Sequence, residues 1–433
     1  MNKSLTGSLL IALVITGLCL PATGQRYLTG LDSSLFIKDT VRPFLKRFGN
    51  LRFSGYIQPQ YQVIEKDGAA TYGGGDFSAQ SRNRFMLRRA RMKIDYLALT
   101  EDRLPKALFT FQMDVTERTV RVRDMFVRLY ETKGNQFSLT TGIFAKPFGY
   151  EVNVSSSFRE TPERGRMSQI LIPSERDLGV MISYEPQRPG KNKHQLRIDA
   201  GVFNGPGLSA TTDFDNKKDL VARITYEPLH REGIQVHGGL SLMRGGWKQS
   251  SKYVYTTRET GGKEDFYVDS AISNVGKTAP RQYYGGDVQV RFPVHHGGLE
   301  LRGEIWFGKQ PGTATSTINP GTLPAGPTYI RQFSGGFFYL IKDLGQKGHQ
   351  LLAKYDWYDP NTKIQGKAIG LNNSFTSGDI SYQTWGLGYS HPVTENVKLV
   401  LYYEHVVNEA TSYAGYTTDL PDNLFTCRLQ FRF

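Results

Sequence analysis

Five cations, Lys146, Arg159, Arg164, Arg166 and Arg176, fall within residues 146–176 (KPFGYEVNVSSSFRETPERGRMSQILIPSER), where the acids are four glutamates. Arginine offers a planar fork of N–H donors that matches the oxygens of a phosphate or carboxylate, and lysine offers a point charge. A second group, Arg89, Arg91 and Lys93, occupies alternate positions of one run, with only Asp95 beside it on that face. Together these residues suit reversible recognition of an anion, because several graded cations admit and release an ion better than one deep pocket. The alternative for the arginines of 146–176 is pairing with Glu160, Glu163 and Glu175, which would pin the shape of the segment; the two roles are compatible.

Other chemistries find little support. The eight histidines are scattered, as in His194, His230, His237, His349, His391 and His405, and the adjacent His295 and His296 fall in a turn-like stretch. No GxSxG, HExxH or CxxC pattern occurs, so no enzyme, metal or cofactor is expected. The net charge of +13 invites a nucleic-acid reading, but the cations are spread along strands with no basic run.

The segment 146–176 has no period of its own and joins two alternating runs, which makes it a long irregular connection. From Leu51 onward such runs recur at a length suited to tilted strands crossing a membrane. In 52–63, Arg52, Ser54, Tyr56, Gln58, Gln60 and Gln62 share one face, and Phe53, Ile57, Tyr61 and Val63 the other. The run 82–97 sets Arg89, Arg91, Lys93 and Asp95 against Ala90, Met92, Ile94 and Tyr96. Near the end, Thr426, Arg428, Gln430 and Arg432 oppose Phe425, Cys427, Leu429, Phe431 and Phe433.

Counting these runs gives sixteen strands, starting near Leu51, Arg82, Lys106, Val120, Gln136, Asp177, His194, Asp219, Gly233, Gln282, Gly298, Tyr329, Gly348, Ile380, Asn396 and Asn423. Connections after odd strands are long and those after even strands short and rich in turn formers; 116–119 alone breaks the rule. Long loops at one rim and tight turns at the other are the pattern of an outer-membrane barrel. In that setting the apolar face meets lipid and the mixed-charge face lines a hydrated lumen with a modest excess of cations. The segment 146–176 becomes the third loop on the long side.

Residues 1–24 read as a secretory signal peptide, with Lys3, an apolar run too short to cross a bilayer, and Pro21-Ala22-Thr23-Gly24 as the cleavage site. Residues 25–50 form a short periplasmic segment and 51–433 the barrel. Cys427 alone then remains, so no intrachain disulfide is expected. The final Phe433 on an alternating strand suits the insertion signal of such barrels.

Several phrases resemble the phosphate-selective porin O and P family: Arg88-Arg-Ala-Arg91, Gly142-Ile-Phe-Ala-Lys-Pro-Phe-Gly149, Glu175-Arg-Asp-Leu-Gly-Val180, Gly201-Val-Phe-Asn-Gly205 and the DFDNKKDLVAR of 213–223. Ile143 departs from the family phrase where Gln is usual, and Ala145 adds a residue before Lys146. The resemblance implies a trimeric, anion-selective channel with basic residues of an inward-folded constriction loop at its narrowest point. Those roles carry over to Lys146, Arg159, Arg164, Arg166 and Arg176, and to Arg89 and Arg91 on the adjoining wall.

The expectation is therefore an all-β, transmembrane antiparallel β-barrel of about sixteen strands with an inward constriction loop. It would be a passive diffusion channel for small anions, phosphate foremost, set among the lipid and lipopolysaccharide of a bacterial outer membrane as a homotrimer. Two alternatives stay open: a general porin of low selectivity, in which the loop is a size filter, and a secreted soluble β-sandwich that binds through its aromatic residues.

Overall fold

A strand whose side chains alternate between polar and apolar can bury neither face alone, and closure of the sheet on itself gives each face one environment. The computed structural model describes residues 50–433 apart from 135, 187–194, 211, 228–232, 295–296, 346–347 and 371–372. The expected signal peptide lies outside the described residues, as does the expected periplasmic segment except for residue 50.

The strands are β1 (Leu51–Ile64), β2 (Asn83–Leu99), β3 (Pro105–Val115), β4 (Val120–Tyr130), β5 (Phe137–Ala145) and β6 (Arg176–Tyr184). They continue as β7 (Gln195–Phe203), β8 (Asp219–Glu227), β9 (Gln235–Lys248), β10 (Val254–Thr260), β11 (Lys263–Asp269) and β12 (Thr278–Val294). The last are β13 (Gly297–Gly312), β14 (Thr328–Leu344), β15 (His349–Asp359), β16 (Tyr382–Pro392), β17 (Val397–Asn408) and β18 (Leu424–Arg432). All but β10 and β11 form a closed antiparallel barrel of sixteen strands, in which β9 pairs directly with β12 and β1 pairs with both β2 and β18.

Each expected start lies within a few residues of an observed one. The hairpin β10–β11 was not foreseen; it rises from the long connection between β9 and β12 and pairs through Val254–Thr256 in parallel with the start of β14. The short connection 116–119 is a tight turn closed by Thr116 N–H donating to Thr119 O at 2.9 Å.

The seam is closed by the β1–β18 ladder, which runs from Tyr56 opposite Arg432 to Ile64 opposite Leu424. Gly55 and Phe433 exchange both backbone hydrogen bonds at 3.0 Å. A Cβ on Gly55 would stand 2.5 Å from the Phe433 ring, so only glycine lets that ring lie across the seam.

The two faces separate as alternation requires. Phe53, Ile57, Met92, Phe109, Met125, Ile182, Leu240, Phe338, Leu387 and Leu429 are exposed on the outside. Gln58, Gln60, Gln62, Arg89, Arg91, Asp95, Arg223, Arg302, Lys354 and Arg428 are buried on the other face. No helix among the described residues is long and apolar enough to cross a membrane.

Candidate functional site: an arginine-lined cavity beside the loop

Residues 146–175 leave β5 and return to β6 with a single short helix, α1 (Arg166–Leu171), between. Without a ladder partner, the loop satisfies its backbone with side chains of the wall. Near its start, Gly149 N–H donates to Ser241 Oγ at 3.0 Å, and the N–H groups of Tyr150 and Glu151 donate to the Glu304 carboxylate at 2.6 and 3.0 Å. Gly149 has φ +70°, and a Cβ there would lie 2.5 Å from the Trp306 ring, which explains the glycine that ends the KPFG phrase.

Farther along, Gln58 Nε2 donates to Ser156 O and Gln430 Nε2 to Ser157 O, both at 3.0 Å. Lys398 Nζ donates to Arg159 O at 3.2 Å, Arg302 grips Glu160 with both Nη atoms at 2.8 and 2.9 Å, and Arg428 Nη1 donates to Pro162 O at 2.6 Å. These partners belong to β1, β13, β17 and β18 and sit on the polar face of the wall, so the loop lies against that face.

Glu151 ties the loop to itself. Its carboxylate accepts from Gly165 N–H at 2.9 and 3.0 Å, from Ser168 Oγ at 2.8 Å and from Tyr339 OH at 3.1 Å, with Lys354 Nζ at 3.4 Å. Burial would raise its pKa, but Lys354, Arg159 and the bonds from Gly165 and Ser168 hold it below the ordinary glutamate value.

The anticipated cations are placed as follows. Arg89 reaches Glu163 at 2.9 and 2.5 Å, Arg91 pairs with Asp114 at 3.0 Å and donates to Ser156 Oγ at 3.1 Å, and Lys93 pairs with Asp95 at 3.1 Å. The expectation that this trio has only Asp95 for company is corrected: alternation along β2 says nothing of carboxylates brought in by the loop and by β3. Lys146 lies 3.7 Å from Asp177.

Arg164 donates to Ser168 O at 3.0 Å and Ile172 O at 3.2 Å, capping the C-terminal carbonyls of α1, and its Nε lies 3.1 Å from Glu175. Arg166 points away from the others, stacked over Tyr382 at 3.7 Å and Tyr72 at 4.7 Å, with Asp422 at 3.9 Å. Arg176 bonds Asp124 at 3.0 Å and Glu175 at 2.7 Å. Arg159 is buried, yet its Nε and Nη1 hydrogens meet no acceptor among the described residues.

Two further arginines join the site because β-bulges turn them. The β1–β2 register slips between Gln58 and Pro59, leaving Arg88 as the extra residue, and the β3–β4 register slips between Gln112 and Met113, leaving Arg123. A bulge puts two successive side chains on nearly the same side. Arg88 therefore joins Arg89 on Glu163, at 2.9 and 3.1 Å, and Arg123 reaches Glu175.

Strict alternation places Arg88 and Arg123 on the lipid side and so misses both. The available signal was energetic: an arginine at bilayer depth costs about 2–4 kcal/mol, so adjacent charges in one strand, Arg88-Arg89 and Arg123-Asp124, already imply an irregularity.

These groups border one cavity of about 280 Å³ between the loop and β2–β4, lined by Arg88, Arg89, Arg91, Arg121, Arg123, Arg164 and Arg176 with Asp114, Glu163 and Glu175. The lining leaves an excess of four positive charges. On the other side of α1, a cavity of about 20 Å³ is lined by Arg164 and Arg166 with Asp356, Glu404 and Asp422. That is room for about one water.

The sequence profile of the family described as phosphate-selective porin O and P matches residues 68–433. The chain belongs to that family. Solved structures with the same barrel include OprB of Pseudomonas putida, at 10% identity and a TM-score of 0.57 over 89% of this chain and 94% of that one. An anion-selective porin from Comamonas acidovorans is 13% identical with a TM-score of 0.54, over 88% of this chain and 99% of that one. The outer-membrane channel DcaP of Acinetobacter baumannii is 12% identical with a TM-score of 0.50, over 88% and 97%. At these identities the likeness is one of fold. No curated protein matches the chain in sequence. Family and fold together make it a porin channel of a bacterial outer membrane.

Proposed function

We propose that this porin is a passive channel for small anions, phosphate foremost, with residues 146–175 as its constriction loop. The observation that carries the reading is the cavity beside the loop, where seven arginines face three carboxylates. In low-dielectric walls such an excess raises the local anion concentration. Of the anticipated cations, Arg89, Arg91, Arg164 and Arg176 border the passage directly. Lys146, Lys93 and Arg159 do not line it, and Arg166 lines the small cavity on the other side of α1. The solute gradient drives transport, and no bond of the solute is made or broken. Family membership implies a homotrimer, with the apolar outer band against lipid and the rim against lipopolysaccharide.

A second reading, a general porin whose loop acts as a size filter, is favoured by the pairing of most of these cations with carboxylates. Reversal potentials of the reconstituted channel under a potassium chloride gradient separate the two. Anion selectivity with block of chloride current by phosphate is expected; cation preference or indifference to phosphate would favour the size filter.

A further inference from the structure

Glu163 and Glu175 stand out because each is a loop carboxylate held by three arginines, those of Glu163 from β2 and β18 and those of Glu175 from β4, the loop and β6. Glu163 accepts from Arg88 Nε and Nη2, from both Nη atoms of Arg89, and from Arg428 Nη2 at 2.8 Å. Five charge-assisted bonds fill the roughly four lone-pair sites of a carboxylate. Glu175 is gripped by Arg123 from β4, Arg164 from the loop and Arg176 at the start of β6. Both carboxylates border the cavity of about 280 Å³, so both cages open on the same space.

We infer that Glu163 and Glu175 are resident counter-ions of the two arginine cages, which a permeating oxyanion must displace, and that they thereby set the affinity and selectivity of the channel. The inference rests on the anion-channel reading of the same passage.

The argument has three steps. Three guanidinium forks around one carboxylate form the same shell that a phosphate or an organic carboxylate would take, so the cages are already complementary to oxyanions. An empty cage would carry three positive charges in a confined space and would trap such an anion. Conduction requires binding weak enough for release, and a tethered carboxylate in each cage supplies a competitor at fixed local concentration.

The placement of the two partners fits displacement. Arg88, Arg89, Arg123 and Arg428 sit on ladder-bonded strands, whereas Glu163 belongs to the irregular loop, outside any ladder. Arg159, on the same loop, is buried with its Nε and Nη1 meeting no acceptor among the described residues. Chloride, a sphere of single charge, cannot span two forks and passes with the glutamates in place. Oxyanions exchange with them and dwell.

The test is block of chloride current by inorganic phosphate across planar bilayers holding the full-length channel. Glu163→Gln and Glu175→Gln remove the resident charge at nearly constant shape. Each should lower the half-blocking phosphate concentration at least tenfold, and the exposed Glu259→Gln on β10 should leave it unchanged. Folded variants in which block is unchanged or weaker overturn the inference.

If a glutamine variant does not insert, Glu163→Asp keeps the charge but shortens the reach to three forks. A fall in half-blocking concentration of severalfold is then expected, and no change refutes the idea. A wild-type channel without anion preference would instead remove the reading beneath it, so the two failures are distinguishable.

Discussion

Replacing Glu151 by glutamine tests whether the loop is held where it lies by side chains alone. The native carboxylate faces donors on every side: Gly165 N–H, Ser168 Oγ–H, Tyr339 O–H and the Lys354 ammonium. An amide in its place turns one acceptor into a donor and points it at another donor, while Lys354 loses one of its two carboxylate neighbours and keeps Asp356 at 3.2 Å. Lys354 stays paired with Asp356, so the cost is that of a buried donor facing another donor, about 1–3 kcal/mol. At about 1.4 kcal/mol per factor of ten, the docked state of the loop should lose roughly one to two powers of ten in population against undocked states.

The barrel ladders do not involve this residue, so unboiled gel mobility should stay native. Single-channel records should change: larger, noisier conductance and loss of phosphate block are expected. Native conductance, low noise and intact block in a folded Glu151→Gln channel would refute the claim that this network seats the loop.

Gly149→Ala should act at the loop's first turn, where φ is +70° and the new methyl would meet Trp306 at 2.5 Å and Glu304 Oε1 at 2.6 Å. A positive φ costs a non-glycine residue roughly 1–2 kcal/mol, and overpacking about 1–3 kcal/mol. Raised conductance with weakened phosphate block is expected in bilayers, and an unchanged channel would show that the turn is not locked. Acid should leave both arginine cages charged over a wide range. Burial favours protonation of Glu163 and Glu175, but Arg88, Arg89 and Arg428 around the first and Arg123, Arg164 and Arg176 around the second hold both carboxyls well below the usual glutamate range. Their folded values are depressed, so their stabilisation is complete above the unfolded value of about 4.3 and is lost only as pH falls through the folded ones. The difference in phosphate block between the wild-type channel and Glu163→Gln should therefore be constant from about pH 8 to about pH 5; a difference that closes near pH 6 would contradict the pairing.

The wall was legible because the membrane imposes it. Lipid outside and water inside demand alternation, and Gln58, Gln60 and Gln62 against Phe53 and Ile57 display it without interruption. The hairpin β10–β11 was lost because it lies beyond the bilayer, where nothing enforces the alternation; Gly261-Gly262 between VYTTRET and KEDFYVD was its signal. The loop was recognisable by its charge and irregularity, but the partners of its arginines were not. The separations involved, as in Arg302 with Glu160 or Arg428 with Glu163, leave no local trace. The bulges at Arg88 and Arg123 were hidden for a related reason, since one residue out of register is invisible to any rule of period two.

An irregular loop against a barrel wall cannot be held by a ladder, so charge-assisted bonds from the wall take that place. The same arginines are the ones that would meet a permeating anion, and substituting them confounds the two roles. Arg428 holds Pro162 O, Gln60 and Glu163 together, and Arg164 caps α1 while binding Glu175. Loss of selectivity in an alanine variant of either would be ambiguous. Arg121 is different: it is exposed, borders the passage and makes no ion pair among the described residues. Arg121→Gln should therefore shift the reversal potential toward potassium while conductance noise and loop seating stay native, because only field is removed. If selectivity is indifferent to Arg121, the excess charge of the passage does not act on the ion, and pairing alone explains why the arginines are there.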